Sequence, residues 1–280
     1  MMAGCILRIK KRIYTVGGLR FEGSKGMSKY FLIFFEKFTC KLSTHILCES
    51  IGVRNKLSDI GVEKSKLILL NPSNLNGVDT IYYNPVNLNK DELKLKHGYL
   101  ETDFIFIFVG RIVRDKGIFE LIDAFKLLSQ KINNLKLIII GPNDSNNNDF
   151  SRFNALINKD KNITYINFIK DIRNYLVISN CMILPSYREG FPNVILESGS
   201  MGRPVIMTNV NGHDEYLNST NGLLIKIGDV EDLLNKMEEM YYNYNKFNEV
   251  EIRRQVIDKF SCEKVHITIE KFYKSIIANA

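Results

Sequence analysis

The chain has 280 residues, 45% of them hydrophobic and 25% charged, with a formal net charge of +7. That composition is ordinary for a folded globular protein and excludes a largely disordered chain. No apolar run approaches the roughly 18 residues needed to span a bilayer, which excludes a membrane-spanning helix.

In chain order, "RIYTV" reads as a strand, 27–42 as a helix, "HILC" as a strand, 50–60 as a helix and "LILL" as a strand. The stretch "NPSNLNGVD" at 71–79 is turn-rich, and Asn84-Pro85 follows it. Residues 104–109, "FIFIFV", form a continuous apolar run ending at Gly110. Residues 117–130 follow with helical spacing, and then "LKLIII" ends at Gly141-Pro142. After the polar "NDSNNND" come a helix near 150–159, the strand "ITYI", a short helix near 171–179 and the strand "CMIL". Pro192 stands where a first helical turn begins, and that helix extends to about 201. "PVIM" is a further strand, and 229–245 and 262–277 read as helices.

Buried strands that alternate with helices predict an α/β protein with parallel sheets covered on both faces. Ligands of such sheets lie at the carboxyl ends of the strands. The expected division is a partial N-terminal domain over 1–85, a doubly wound, Rossmann-like C-terminal domain over 86–260, and a helix over 261–280 that packs back towards the first domain.

Two groups of residues have the chemistry for a phosphorylated ligand. In "VGRIVRDKG", Gly110 turns the chain closely after a strand, and Arg111 and Lys116 project from the loop beside a helix start, an arrangement suited to a diphosphate. The same pair also fits an ordinary salt-bridged surface loop. In "SYREGFPNVILE", Glu189 sits at a strand exit and Glu197 more than one turn into the following helix. Carboxylates accept hydrogen bonds from neighbouring hydroxyls and so suit sugar diols. Amides near Gly190, Phe191 and Asn193, with Pro192 opening the helix, can meet a phosphate oxygen. Neither a G-x-G-x-x-G loop nor a Walker-type loop occurs.

"VGRIVRDKG", "PSYREGFPNVILESGSMGRPVIMTNVNGHDEYL" and "NGLLIKIGD" together resemble the retaining nucleotide-sugar glycosyltransferases of GT-B fold, the glycosyl transferases group 1 family. "RIYTVGGLRFEGSKG" and "SNLNGVD" are similar to members that build bacterial surface polysaccharides on a lipid carrier. The resemblance implies that Glu197 binds the ribose and Glu189 the donor sugar. Arg111 and Lys116 neutralise the diphosphate, and the Gly190 and Phe191 amides touch phosphate or sugar. Gly110 and Gly141 border the nucleotide, and Gly212 and Glu215 match a G-x-x-E loop near the donor. His213 is the only histidine within a motif, though a lone histidine is more often structural. Many members carry a histidine in the first loop, near the donor sugar, where this chain has Gly17. The resemblance also implies a longer N-terminal domain than the one present.

The activity so implied is transfer of a hexose or N-acetylhexosamine, with retention, from a nucleotide diphosphate sugar, UDP above all, to a lipid-linked or glycan acceptor. Neither a metal nor another cofactor is expected, and no D-x-D pair occurs. Alternatives are a donor-binding subunit completed by a separate N-terminal half, or an inactive fragment. The five cysteines form no C-x-x-C pair, which fits a reduced, cytoplasmic protein. Residues 1–41 carry nine Lys and Arg against Glu22 and Glu36, the whole of the net charge. Beside "FLIFF" that basic surface suits an anionic membrane face, hence a peripheral membrane location. It also reads as a merely solvated basic segment. Nucleic acid is the weaker partner, because no basic helix has base-reading spacing.

Overall fold

A computed structural model of the protein describes residues 1–70 and 72–278. The first part holds α1 (Met2–Ile6), β1 (Ile13–Val16), α2 (Gly26–Leu42), β2 (His45–Cys48), α3 (Ile51–Asp59) and β3 (Leu67–Leu69). Its three strands form a parallel sheet in the order β1-β2-β3. Ser50 caps α3 by accepting from the Val53 amide, which fixes the turn out of β2.

After α4 (Lys90–Lys96) comes the larger unit: β4 (Phe104–Val109), α5 (Ile118–Ser129), β5 (Leu135–Ile140), α6 (Asn147–Ile157), β6 (Ile163–Ile166), α7 (Arg173–Ile178) and β7 (Cys181–Leu184). It continues through α8 (Asn193–Ser200), β8 (Val205–Thr208), α9 (His213–Tyr216), β9 (Gly222–Ile225), α10 (Val230–Tyr242), α11 (Glu249–Phe260) and α12 (Cys262–Ala278). Its six parallel strands take the order β6-β5-β4-β7-β8-β9. That is the doubly wound order, and its switch point lies between β4 and β7.

Strand periodicity divides the core. Phe104, Phe106 and Phe108 of β4 enter one buried cluster with α5, α6 and α10. Ile105 and Ile107 enter the other with α7, α8 and α11. Alternate residues point to opposite faces, so an unbroken apolar strand is buried on both. Each fully buried side chain of this size contributes roughly 1.5–3 kcal/mol.

The expected α/β architecture is present, with local differences. The Asn146 side chain accepts from the Asp149 amide at 2.9 Å, which starts α6 inside the stretch read as loop. Pro192 is the residue before the first turn of α8 and not within it. The sequence pattern does not predict α1, α4, α9, β9 or α11; Asn89 and Asn248 cap α4 and α11. The loop after β3 is tied by backbone to the junction of α11 and α12: the Val78 amide donates to the Phe260 carbonyl at 2.8 Å, and the Cys262 amide to the Val78 carbonyl at 3.0 Å. Phe272 of α12 reaches the first sheet, its ring centroid 6.4 Å from that of His45.

Candidate functional site

The loops leaving β4 and β7 meet at the switch point. Gly117 takes a φ of 68°, and a Cβ there would stand 2.1 Å from the Pro185 carbonyl oxygen. Only glycine lets the first loop lie this close to the exit of the second. The contact is reinforced by the Tyr187 amide donating to the Asp115 carbonyl at 2.8 Å. Arg188 also donates to Asp115, from Nε at 3.0 Å and from a terminal nitrogen at 2.7 Å.

This docking brings Lys116 to Glu189, Nζ to Oε1 at 2.5 Å, with 18% and 11% of their side chains exposed. Arg111 and Gly190 join them around a cavity of about 250 Å³, whose other wall is Gly18, Leu19, Arg20 and Glu22 from the first domain. A neighbouring cavity of about 730 Å³ shares Glu22, Asp115 and Arg188 and reaches Gly23 and Lys25 at the start of α2. Arg111 leans outward on Asp144, 2.5 Å away.

The other expected residues do not line the cavity. Gly110 and Gly141 abut at adjacent strand ends: a Cβ on Gly141 would lie 1.9 Å from the Gly110 carbonyl oxygen. The ring of Phe191 is buried against Phe260, centroids 5.6 Å apart, so its side chain does not face the cavity. Gly212, at φ 89°, packs on Phe191. Asn193 accepts from Asn74 at 2.9 Å. Glu197 faces the interdomain linker: burial raises its carboxyl above the usual range, while hydrogen bonding from Tyr83 opposes the shift. Burial first, and then that carboxylate, push the Tyr83 phenol upward.

Glu215 sits at the N-terminus of α3, where its Oε1 accepts from the Ile51 amide and from Ser73 Oγ, the latter at 3.3 Å. Its Oε2 is buried without a hydrogen-bond partner among the described residues. The G-x-x-E element therefore ties the two domains together instead of facing the cavity. His213 hydrogen-bonds the Val210 carbonyl at 2.8 Å and pairs with Asp214.

Several residues at the site escaped sequence reasoning. Asn211 is buried and donates to the Glu189 carbonyl at 2.8 Å. Glu49 directly follows β2, and a Cβ at Gly17 would stand 2.7 Å from its Oε2. Burial raises the Glu49 carboxyl from an ordinary 4.5 to about 7. A charged residue directly after the apolar strand "HILC" was the available signal. Gly190 touches the first domain directly, since a Cβ there would meet the Gly17 carbonyl oxygen at 1.5 Å.

The arrangement is a cleft between two parallel-sheet domains, with cations and carboxylates at the carboxyl ends of the switch-point strands. Among the described residues no group of three His, Cys, Asp or Glu side chains converges. None of the described helices is long and apolar enough to cross a membrane.

Residues 89–257 match the family model of the glycosyl transferases group 1. The chain is 31% identical over 271 residues to the capsular polysaccharide biosynthesis glycosyltransferase CapM of Staphylococcus aureus, covering 95% of this chain and 70% of that one. It is 28% identical over 282 residues to the UDP-Gal:alpha-D-GlcNAc-diphosphoundecaprenol alpha-1,3-galactosyltransferase of Escherichia coli, again covering 95% and 70%. Anabaena HepE, solved with UDP and glucose, superposes with a TM-score of 0.85 at 17% identity, covering 98% of this chain and 74% of the other. WaaG, a glycosyltransferase of lipopolysaccharide biosynthesis, gives 0.72 at 18% identity, covering 92% and 74%. These likenesses show the GT-B fold. The match to the family model and the identity to CapM carry the assignment: this chain belongs to the glycosyl transferases group 1 family and is a glycosyltransferase.

Proposed function

We propose that the protein transfers a sugar from a nucleotide diphosphate donor, most simply a UDP-sugar, to a lipid-linked acceptor during surface-polysaccharide assembly. The observation that carries this reading is the convergence of Lys116, Arg111, Glu189 and Gly190 on one cavity at the switch point. The names of the relatives supply the substrate class: the galactosyltransferase acts on a sugar diphosphoundecaprenol.

In this reading the diphosphate lies between the two strand exits. Lys116 and Arg111 take up the charge that develops as the nucleoside diphosphate leaves, and the free amides at the start of α8 add their dipoles. Glu189 accepts from hydroxyls of the donor sugar, and Glu197 exchanges Tyr83 for the ribose hydroxyls. Both cations hold carboxylates, Lys116 with Glu189 and Arg111 with Asp144, so donor binding replaces existing ion pairs. Front-side attack on the anomeric carbon gives retention, and the adjoining cavity of about 730 Å³ is the acceptor's approach.

That approach ends at α2. Tyr30, Phe31, Phe34 and Phe35 there are 75%, 58%, 62% and 60% exposed. Lys25, Lys29, Lys37 and Lys41 lie on the same segment. Aromatic and basic side chains together fit an anionic lipid surface that carries the acceptor.

The test is thermal unfolding with and without UDP and UDP-sugars, since a ligand bound only by the folded state raises Tm. A rise is expected, reduced more by Glu197→Ala than by Glu189→Ala. No shift with any nucleoside diphosphate at millimolar concentration would overturn the donor site.

A further inference from the structure

Behind the glycine wall of the cavity lies a carboxyl that the proposed chemistry does not use. Glu49 is 8% exposed. Its Oε1 accepts from Asn76 Nδ2 at 2.9 Å, in the loop after β3. Its Oε2 points at the seam between the domains: built Cβ atoms on Gly17 and Gly190 would stand 2.7 and 3.4 Å from it. One side chain thus borders the loop after β1, the loop after β3 and the donor-site loop after β7.

The space it fills exists because residue 17 is glycine. Any side chain there would start within 2.7 Å of the carboxylate, and one at 190 would start 1.5 Å from the Gly17 carbonyl oxygen. Two glycines and a carboxyl therefore set how closely the domains meet.

We propose that Glu49 is a positioning residue of the transfer reaction: it sets the approach of the Gly17–Gly18 loop to Gly190, and so places the adjoining Glu189 over the donor sugar. The inference rests on the donor site described under the proposed function.

Closing the seam strips water from this carboxyl and supplies one neutral hydrogen-bond donor, Asn76, in its place. Of the charged groups on the surrounding elements, Glu22 pairs with Lys56 and Glu189 with Lys116, while Arg54 on α3 lies near enough to offset part of the effect of burial on the Cys48 thiol. Burial alone accounts for the rise to about 7. With the domains apart and the carboxyl hydrated, it titrates near its ordinary value. Between those two values, about 4.5 and about 7, closing takes up one proton. Closure then weakens by up to about tenfold per unit as pH rises through that window, and levels off above it.

The test is calorimetric titration of the full chain with UDP-glucose from about pH 5 to about pH 8. The esterified diphosphate of this probe does not itself titrate there. We expect wild-type affinity to fall with rising pH by several-fold or more per unit below about 7, following the linkage. Glu49→Gln, which keeps size and hydrogen bonding without charge, should bind with little pH dependence, near the wild-type acid limit. Equal slopes in the two chains overturn the role of Glu49 and leave the donor site standing. Binding by neither at any pH overturns both.

A second measurement covers a Glu49 variant that folds poorly. Gly17→Ala puts a methyl against Oε2, so it should weaken UDP-glucose binding about tenfold in the wild-type background and about twofold or less beside Glu49→Ala. Equal losses in both backgrounds would overturn the proposal.

Discussion

Lys116 and Glu189 meet at 2.5 Å with little of either side chain exposed. An enclosed pair interacts more strongly than a surface pair, and removing one partner leaves the other poorly solvated. In the proposed reaction the charge of Lys116 matters most as the diphosphate departs, because that is when negative charge grows. We therefore expect Lys116→Ala to lower kcat about 100-fold while changing the UDP-sugar Kd by less than about tenfold. Single-turnover kinetics beside binding titrations measure the split; a Kd loss as large as the rate loss would assign Lys116 to ground-state binding. The sequence placed each residue at a strand end, and family resemblance placed both at one ligand. It could not show that they bond to each other, because their 73-residue separation is closed only by the β4–β7 adjacency. The glycine of the Lys116-Gly117 step was legible as a loop glycine, but the Pro185 carbonyl it admits was not. Asp144, in a stretch that read as bare polar loop, holds Arg111.

At the level of elements, what was legible follows from length and pattern. β4 is an unbroken apolar run and β5 is interrupted only by Lys136, so both are legible with their ends. α11 was missed because Ile252, Val256 and Phe260 recur once per turn amid charged residues, too thin a stripe to stand out. β9 opens on a glycine and is four residues long. α2 was found by its spacing, yet which of its faces stays bare depends on packing. Its exposed Phe31, Phe34 and Phe35 cover a surface that water solvates poorly, beside lysines that favour anionic lipid. Replacing these three phenylalanines by serine should lower binding to phosphatidylglycerol-containing vesicles by about tenfold or more, since each aromatic contributes up to roughly 1.5–3 kcal/mol when buried. Sedimentation with vesicles reads the effect. Soluble-donor affinity should not change, because Phe31, Phe34 and Phe35 lie outside the cavity. Unchanged vesicle binding would remove α2 from the membrane contact.

The whole molecule is organised by the seam between its two sheets. Asn74, fully buried, accepts from the amides of Asn76 and Gly77 at 3.0 and 2.6 Å and donates to Asn193 at the start of α8. Glu215 reaches from the second domain to the first turn of α3, and Asn211 donates to Glu22 of the first domain at 3.4 Å. At Gly17 and Gly190 the two backbones meet with no room for a Cβ on Gly190. The cavity of about 250 Å³ is lined from both domains, so how closely they meet sets its width. Gly190→Ala tests whether that approach is needed for chemistry. The added methyl would lie 1.5 Å from the Gly17 carbonyl oxygen, a backbone atom that cannot swing aside. Gly190 does not have a positive φ, so alanine is tolerated locally and each domain keeps its own core. We expect the variant to unfold within a few degrees of wild type, because a loop substitution away from the core costs little. Transfer should fall about 100-fold or more, since a displacement near 1 Å at the reacting groups suffices for that. Small-angle scattering with UDP bound should show wild type contracting and the variant remaining extended. A variant that contracts like wild type yet transfers slowly would place the defect at the donor sugar and not in the closure of the domains.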